Sequence, residues 1–517
     1  MRDFPGVIMV SPSPTRRTFL ERTSRKAAVF SGGLGFLSQL PLVTASDGAK
    51  RLELIKFDQE IEPLVKLIED SPREKLLEAV AQRIRQGVSY RQILGALLLA
   101  GIRNVQPRPS VGFKFHCVLV VNSCHLASLS GPDQDRWLPI FWALDYFKSS
   151  QENEAENSGW RMKAVNDSNV PDPSKAKALF LEAMDSWDVE KADTATSGIV
   201  RSLGATEVFN LFARYAARDY RSIGHKAIYL ANSWRALQVM GWQYAEPVMR
   251  SLAFALLNHR GEGNPSTHDH QVDRPWRENS PKADQIPATW LGGVADDGVP
   301  PRLWESFREG TPEAASNVAL DALKKGVAPQ SLWDGVFLGA GELLMRQPGI
   351  IGLHGLTTAN AMHYLFRHVA NDQLRRQLLL QACSFNPMFR DSAIARGKLG
   401  KVTLDALRPR ESQLSQEDKL AEILNQLSTD KTKAAESVYG FLLAGGNANQ
   451  LVHAQRRVLF QKGRDAHDYK FTSAVLEDYR NVSPIWRSRF MATSVFNLKG
   501  TGHPDNVLVQ RIRTALS

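Results

Sequence analysis

"HCVLVVNSCHLASL", residues 116–129, decides the fold class of this chain. Its centre, Val118-Leu119-Val120-Val121, favours a strand, because β-branched side chains suit a pleated surface. Three other stretches argue against that reading. They are "HKAIYLANSWRAL" (225–237), "HGLTTANAMHYLF" (354–366) and "HDYKFTSAVL" (467–476). Each opens on histidine, and these counterparts are rich in Ala and Leu, which favour helix. All four are therefore read as helices. The first and third also share the frame His-x5-Asn-x2-His, which recurs 238 residues further on.

Working outward, each histidine element sits in a segment that opens alike. The openers are "SPREKLLEAV" at Ser71, "DPSKAKALFLEAM" at Asp172, "TPEAASNVALDAL" at Thr311 and "SQEDKLAEIL" at Ser415. Each begins with a residue able to cap free backbone N–H groups, and three then place Pro where a helix loses no donor. Apolar residues follow at three- and four-residue spacing, which marks amphipathic helices. A second element follows: "ILGALLLAG" (93–101), "EVFNLFARYAAR" (207–218), "LWDGVFLGAGELLM" (332–345) or "VYGFLLAGG" (438–446). Their small residues let helices approach closely. After the histidine element, Pro139, Pro247 and Pro484 each open a further helix; "QLRRQLLLQACSF" takes that place in the third segment.

The opener-to-histidine distances are 45, 53, 43 and 52 residues, so they alternate. The expected fold is all-α: four pseudo-repeats of about four helices each, about sixteen in all, built as a duplicated pair and stacked into a superhelix or ring. The expected divisions are a leader (1–45) and helical repeats at 46–150, 151–300, 301–410 and 411–517. The second holds a polar stretch at 149–173 and a long loop at 258–290. That loop carries His268, Asp269 and His270 and reads as a lid, with Trp276 and Trp290 as anchors.

At the N-terminus, "TRRTFLE" places Arg16 and Arg17 beside Phe19 and Leu20, followed by the weakly apolar, glycine-rich "AAVFSGGLGFLSQLPLVTA". This resembles a twin-arginine export signal, with Glu21 where Lys is usual and cleavage expected after Ala45; translation starts at Met1 or Met9. The resemblance implies a periplasmic or other extracytoplasmic destination, the twin-arginine machinery as a partner, and export in the folded, cofactor-loaded state. The leader holds six Arg/Lys and two Asp/Glu, so its removal lowers the net charge from +10 to +6. That residue is spread over the remaining chain, which argues against a nucleic-acid partner. No run approaches the ~18 apolar residues of a membrane span. Three cysteines, Cys117, Cys124 and Cys383, are too few for a disulfide framework and read as core residues. CxxCH, CxxC, HExxH, Walker A and GxSxG are all absent from the sequence, so the chemistry those motifs carry is unsupported.

The candidate site follows from the repeat. In a pseudo-symmetric stack, His116, His225, His354 and His467 can converge on one axis. Neutral imidazoles meeting there suit iron, zinc, copper or a non-covalent haem. The alternative is that each packs locally as a structural histidine. Residues nine apart point to opposite faces of a helix, so His116 and His125 do not share a small site, nor do His354 and His363. His363 is nonetheless kept in the prospective ligand set. Asn122, Asn232 and Asn360 are candidates for positioning a ligand or fixing a histidine tautomer, Asn122 beside His125 and Asn360 beside His363. Asp219 is the candidate base. No Glu-x-x-His motif of a carboxylate-bridged di-iron bundle occurs.

The helical layout and "GLHGLTTANAMHYLF" (352–366) resemble the questin oxidase-like group. The resemblance implies oxygenase chemistry on aromatic polyketides with a nicotinamide reductant. The sequence has no nicotinamide-binding fingerprint, so only an oxidoreductase role is carried over, for His354 and His363. Two functions thus stand: an exported metal-dependent oxidoreductase with a small-molecule substrate, or a non-catalytic helical-repeat binding protein of the cell envelope.

Overall fold

A computed structural model describes residues 53–107, 115–257, 263–265 and 267–517. The residues read as an export signal, and the expected cleavage position, lie outside these residues. Glu53–Ser517 forms one compact unit. The described residues contain 22 α-helices and no strand, only two isolated bridges, Leu54 to Lys163 and Val294 to Val327. The fold is all-α. No described helix is long and apolar enough to cross a membrane.

Residues 116–129 form one helix despite their β-branched run. Packing explains why. The helix is buried on nearly every side by other helices, and tertiary context overrides a weak local preference. The other three histidine-headed segments are helices too: His225–Met240, Ile350–His368 and Ala466–Asn481. These four pack in a cycle. The His116 helix lies against the His225 and His467 helices, and the His354 helix lies against the same two. Outer helices cover this inner ring; Tyr90–Asn104, for instance, packs on the His116 helix. Gly101 permits that approach, since a Cβ there would come within 2.8 Å of Val118 Cγ2.

The helix count exceeds the expected sixteen, and two of the additional helices explain the alternating spacing. Two helices precede the histidine helix in the first and third segments: Arg73–Arg85 and Tyr90–Asn104, then Pro312–Lys324 and Pro329–Arg346. Three precede it in the second (Pro173–Ser186, Val189–Ser202, Ala205–Ala217) and in the fourth (Gln416–Thr429, Lys431–Leu443, Ala448–Lys462). "VEKADTATSGIVRS" hides its helix among small polar residues with few apolar anchors. Of the expected caps, Thr311 and Ser415 accept backbone N–H bonds, Asp172 makes none, and Ser71 falls one residue before the N-cap.

Two presumed loops are shorter than the sequence suggests. The helix Leu138–Asn157 runs through the first third of the polar stretch. The 258–290 region holds the helix Arg274–Ala283, with Trp276 and Trp290 buried as anchors. Trp290 Nε1 donates to Asp372 Oδ1 at 3.0 Å. All three cysteines are buried and free.

Candidate metal centre

The four inner helices bring their leading histidines together. Going round the ring, centroids are 5.3 Å apart for His116–His225, 4.5 Å for His225–His354, 5.2 Å for His354–His467 and 4.5 Å for His467–His116. Neighbouring helices meet again further along, where Asn122 Nδ2 donates to Asn232 Oδ1 at 3.0 Å and Asn360 Nδ2 to Glu477 Oε2 at 2.9 Å. Two matched layers mean the four helices run parallel, with His116, His225 and His467 at the first or second residue of their helices and His354 one turn into its own.

The nitrogen atoms define the chemistry. His225 Nε2 lies 3.1 Å from both His116 Nε2 and His354 Nε2. Among the described residues, His116, His225 and His354 are the group whose ligand atoms all fall within 4.8 Å of one another. Their partners fix the tautomers. His225 Nδ1 sits 2.6 Å from the Ser222 carbonyl and His354 Nδ1 sits 2.7 Å from the Ile350 carbonyl. A carbonyl can only accept, so both Nδ1 atoms carry the proton and both neutral rings present an Nε2 lone pair. His467 Nδ1 likewise donates to Asp465 Oδ1 at 2.7 Å, and its buried Nε2 has no partner. His116 is the exception, with its buried Nδ1 unpartnered. It can donate Nε2–H to His225, but the His225–His354 contact then remains lone pair against lone pair.

A proton could bridge that contact only by making an imidazolium. Burial above all, followed by the charge of Lys470, holds His225 down at about 3. His116 and His354 are also held well below the ordinary range, chiefly by burial. The rings are neutral ligands at neutral pH. Two nitrogens on an ion with bonds of about 2.0–2.1 Å are about 2.9 Å apart at a right angle and about 3.3 Å at a tetrahedral one. The observed 3.1 Å falls between them. A haem does not fit the same centre, because it offers two axial positions on opposite faces of a flat macrocycle, not three adjacent nitrogens.

A strained turn aims His225. Ser222 and Ile223 adopt left-handed conformations at φ 58° and 46°, uncommon for any non-glycine residue and more so for a β-branched one. Gly224 follows at φ 81°, and a Cβ there would collide with Thr358 on the neighbouring inner helix. This turn sets the Ser222 carbonyl against His225 Nδ1.

Other expected site residues lie elsewhere. His363 is not in the tetrad; its ring packs among Trp333, Phe337 and Phe366, as a nine-residue offset from His354 requires. His125 Nδ1 meets the Tyr90 hydroxyl at 3.0 Å. Asp219 is fully buried in an ion cluster: Lys226 Nζ donates to it at 2.7 Å and the Arg221 backbone at 3.0 Å, while Arg221 also pairs with Asp273. The asparagines hold no histidine tautomer; backbone carbonyls and Asp465 do that. Asn122 pairs with Asn232 on the neighbouring helix rather than with His125. Asn360 bonds Glu477 and Asp478 and accepts from Arg235 rather than serving His363. His268 and His270 stack on each other at 6.0 Å.

Two groups escaped the sequence reading. Arg235 and Glu477 form a two-point ion pair, at 3.0 and 2.8 Å, across the asparagine layer. Lys470 is buried, and its Nζ has no hydrogen-bond partner. A signal for it existed: it stands three residues after His467, on the same helix face.

The fold and this centre define a class, an all-helical protein with four imidazoles, three buried and that of His467 partly buried, on the axis of four parallel helices. Compared with known proteins, the chain matches no family model, no curated protein and no solved structure.

Proposed function

We propose that this protein binds a transition-metal ion through His116, His225 and His354, with His467 as the fourth ligand, and acts as an oxidoreductase on a small molecule. One observation carries the metal reading: the His225 and His354 lone pairs face each other at 3.1 Å with their tautomers fixed from behind. Such a contact is repulsive unless a cation shares it. Buried polar groups left without a partner are costly, so an arrangement like this needs a reason. Imidazole donors without a directly coordinating carboxylate suit copper, iron or zinc. The redox part rests on the first two metals and on the resemblance around His354. The twin-arginine-like leader supports export after the ion is inserted, because that route carries folded proteins. The test is metal content after native purification and after loading with each ion. One equivalent of metal, lost in His225→Ala, is expected; a metal-free protein that also fails to load would overturn the reading.

The competing reading is a non-catalytic binding protein. It is favoured by one observation, the near-complete burial of the rings, since structural sites are closed and catalytic ones keep an open position. Metal bound at full occupancy with no change on adding any small ligand would favour it.

A further inference from the structure

His467 is held less firmly than the other three imidazoles. His116, His225 and His354 are 4 %, 5 % and 1 % exposed, and their ligand atoms form one group within 4.8 Å. His467 stands outside that group, and 15 % of its side chain reaches solvent. Its ring meets those of His116 and His354 edge-on, at 83° and 71°. The exposed part is not the ligating atom, because Nε2 is buried and unpartnered. Of the four rings, this is the one whose displacement opens the centre toward water.

The groups behind the rings differ in the same sense. Backbone carbonyls hold His225 Nδ1 and His354 Nδ1, and neither can turn away unless the main chain moves. His467 Nδ1 is held by a side chain, the Asp465 carboxylate, which is itself 42 % exposed. Asp465 is also the N-cap of the helix Ala466–Asn481. The same Oδ1 accepts the His467 backbone N–H at 2.6 Å, and Asp468 closes a capping box. When the ring swings out, the carboxylate keeps that bond and meets water. Release therefore leaves the helix capped and strands no buried polar group at Asp465.

We infer that His467 is an exchangeable fourth ligand, and that a small anion takes its place on an ion held by His116, His225 and His354. This rests on the metal reading above. The bond from the ion to His467 Nε2 breaks and a bond from the ion to the anion forms; no electron changes hands. An anion is favoured because the three remaining ligands are neutral, and burying the uncompensated charge of an ion is expensive. The vacated space limits the incoming ligand to about the size of the imidazole it replaces. Three fixed protein ligands with one position that opens is the arrangement of catalytic sites, whereas structural sites stay closed.

The experiment uses the full chain saturated with copper(II), with azide as the probe. Electron paramagnetic resonance counts the imidazoles through their nitrogen hyperfine structure, and azide-to-copper charge-transfer absorption follows binding. In the wild type, saturable azide binding is expected, with one imidazole lost from the copper. His467→Ala should start with three imidazoles, keep all three when azide is added, and bind azide about tenfold or more tighter, since no ring has to leave. If His467→Ala does not fold, His467→Gln, which keeps the bulk without an imidazole, is read in its place with the same expectation. Wild-type copper that ignores azide or takes it up with every imidazole retained would overturn the proposal while sparing the metal centre. So would equal affinities in the two proteins, or a folded variant that takes up no copper. Absence of nitrogen hyperfine structure before azide is added would instead overturn the metal reading, and this proposal with it.

Discussion

His225 and His354 meet through Nε2 atoms 3.1 Å apart, although the proton of each neutral ring is drawn to the opposite nitrogen by a backbone carbonyl. An ion between them resolves the conflict. His225→Ala and His354→Ala should therefore each lose bound metal. His125→Ala, beside Tyr90, and His363→Ala, in its aromatic pocket, should keep it. Metal-to-protein ratios measured after gel filtration check this; uniform loss, or uniform retention, would count against the assignment.

Asp219 separates a structural role from a catalytic one. Its carboxylate is held below the usual range: burial works to raise it, but Lys226, Arg218 and Arg221 outweigh that. Removing it leaves Lys226 buried without its counter-ion. Asp219→Ala should lower unfolding stability by about 3–5 kcal/mol. Metal content of the fraction that remains folded should not change. Stability near wild type in urea titrations, with activity lost, would point to a catalytic base instead.

The turn before His225 should tolerate no side chain at Gly224. Gly224→Ala meets Thr358 and a left-handed backbone, which alone costs roughly 1–2 kcal/mol. The Ser222 carbonyl should move off His225 Nδ1, and metal affinity should fall together with thermal stability. Thr358→Ala removes the obstructing side chain. In the double variant, affinity should return in part; no recovery would show that the collision is not what matters.

His363 supplies a pH dependence away from the centre. Burial first, then the positive charges of Arg367 and Arg235, hold its imidazole down at about 3. In the unfolded chain a histidine protonates near 6.5. Between these values the unfolded state binds a proton that the folded state refuses. Stability is therefore full above about 6.5 and declines as pH falls through the window, by about 1.4 kcal/mol per pH unit for this one group. His363→Gln should decline less steeply between about pH 7 and pH 5 in denaturant titrations. Parallel curves would refute the assignment.

Much of this architecture was legible before any coordinates. A helix beginning at His116 could be told from a strand because its three counterparts carry Ala and Leu. Convergence of four histidines followed from treating equivalent positions as neighbours. The helix Val189–Ser202 was not legible, since most of its residues are small or polar and few large apolar side chains mark its buried face. The partners of Asn122 and Asn360 were not either: spacing along one helix says which side chains share a face, not which neighbour that face meets. The backbone carbonyls that fix the tautomers depend on the turn at Ser222, whose left-handed geometry no propensity anticipates.

The most direct test is X-ray absorption on the purified full chain. The account predicts one metal ion per molecule with three to four imidazole nitrogens at about 2.0–2.1 Å. A protein that takes up no stoichiometric ion, or one whose ion shows no imidazole scattering, would contradict it.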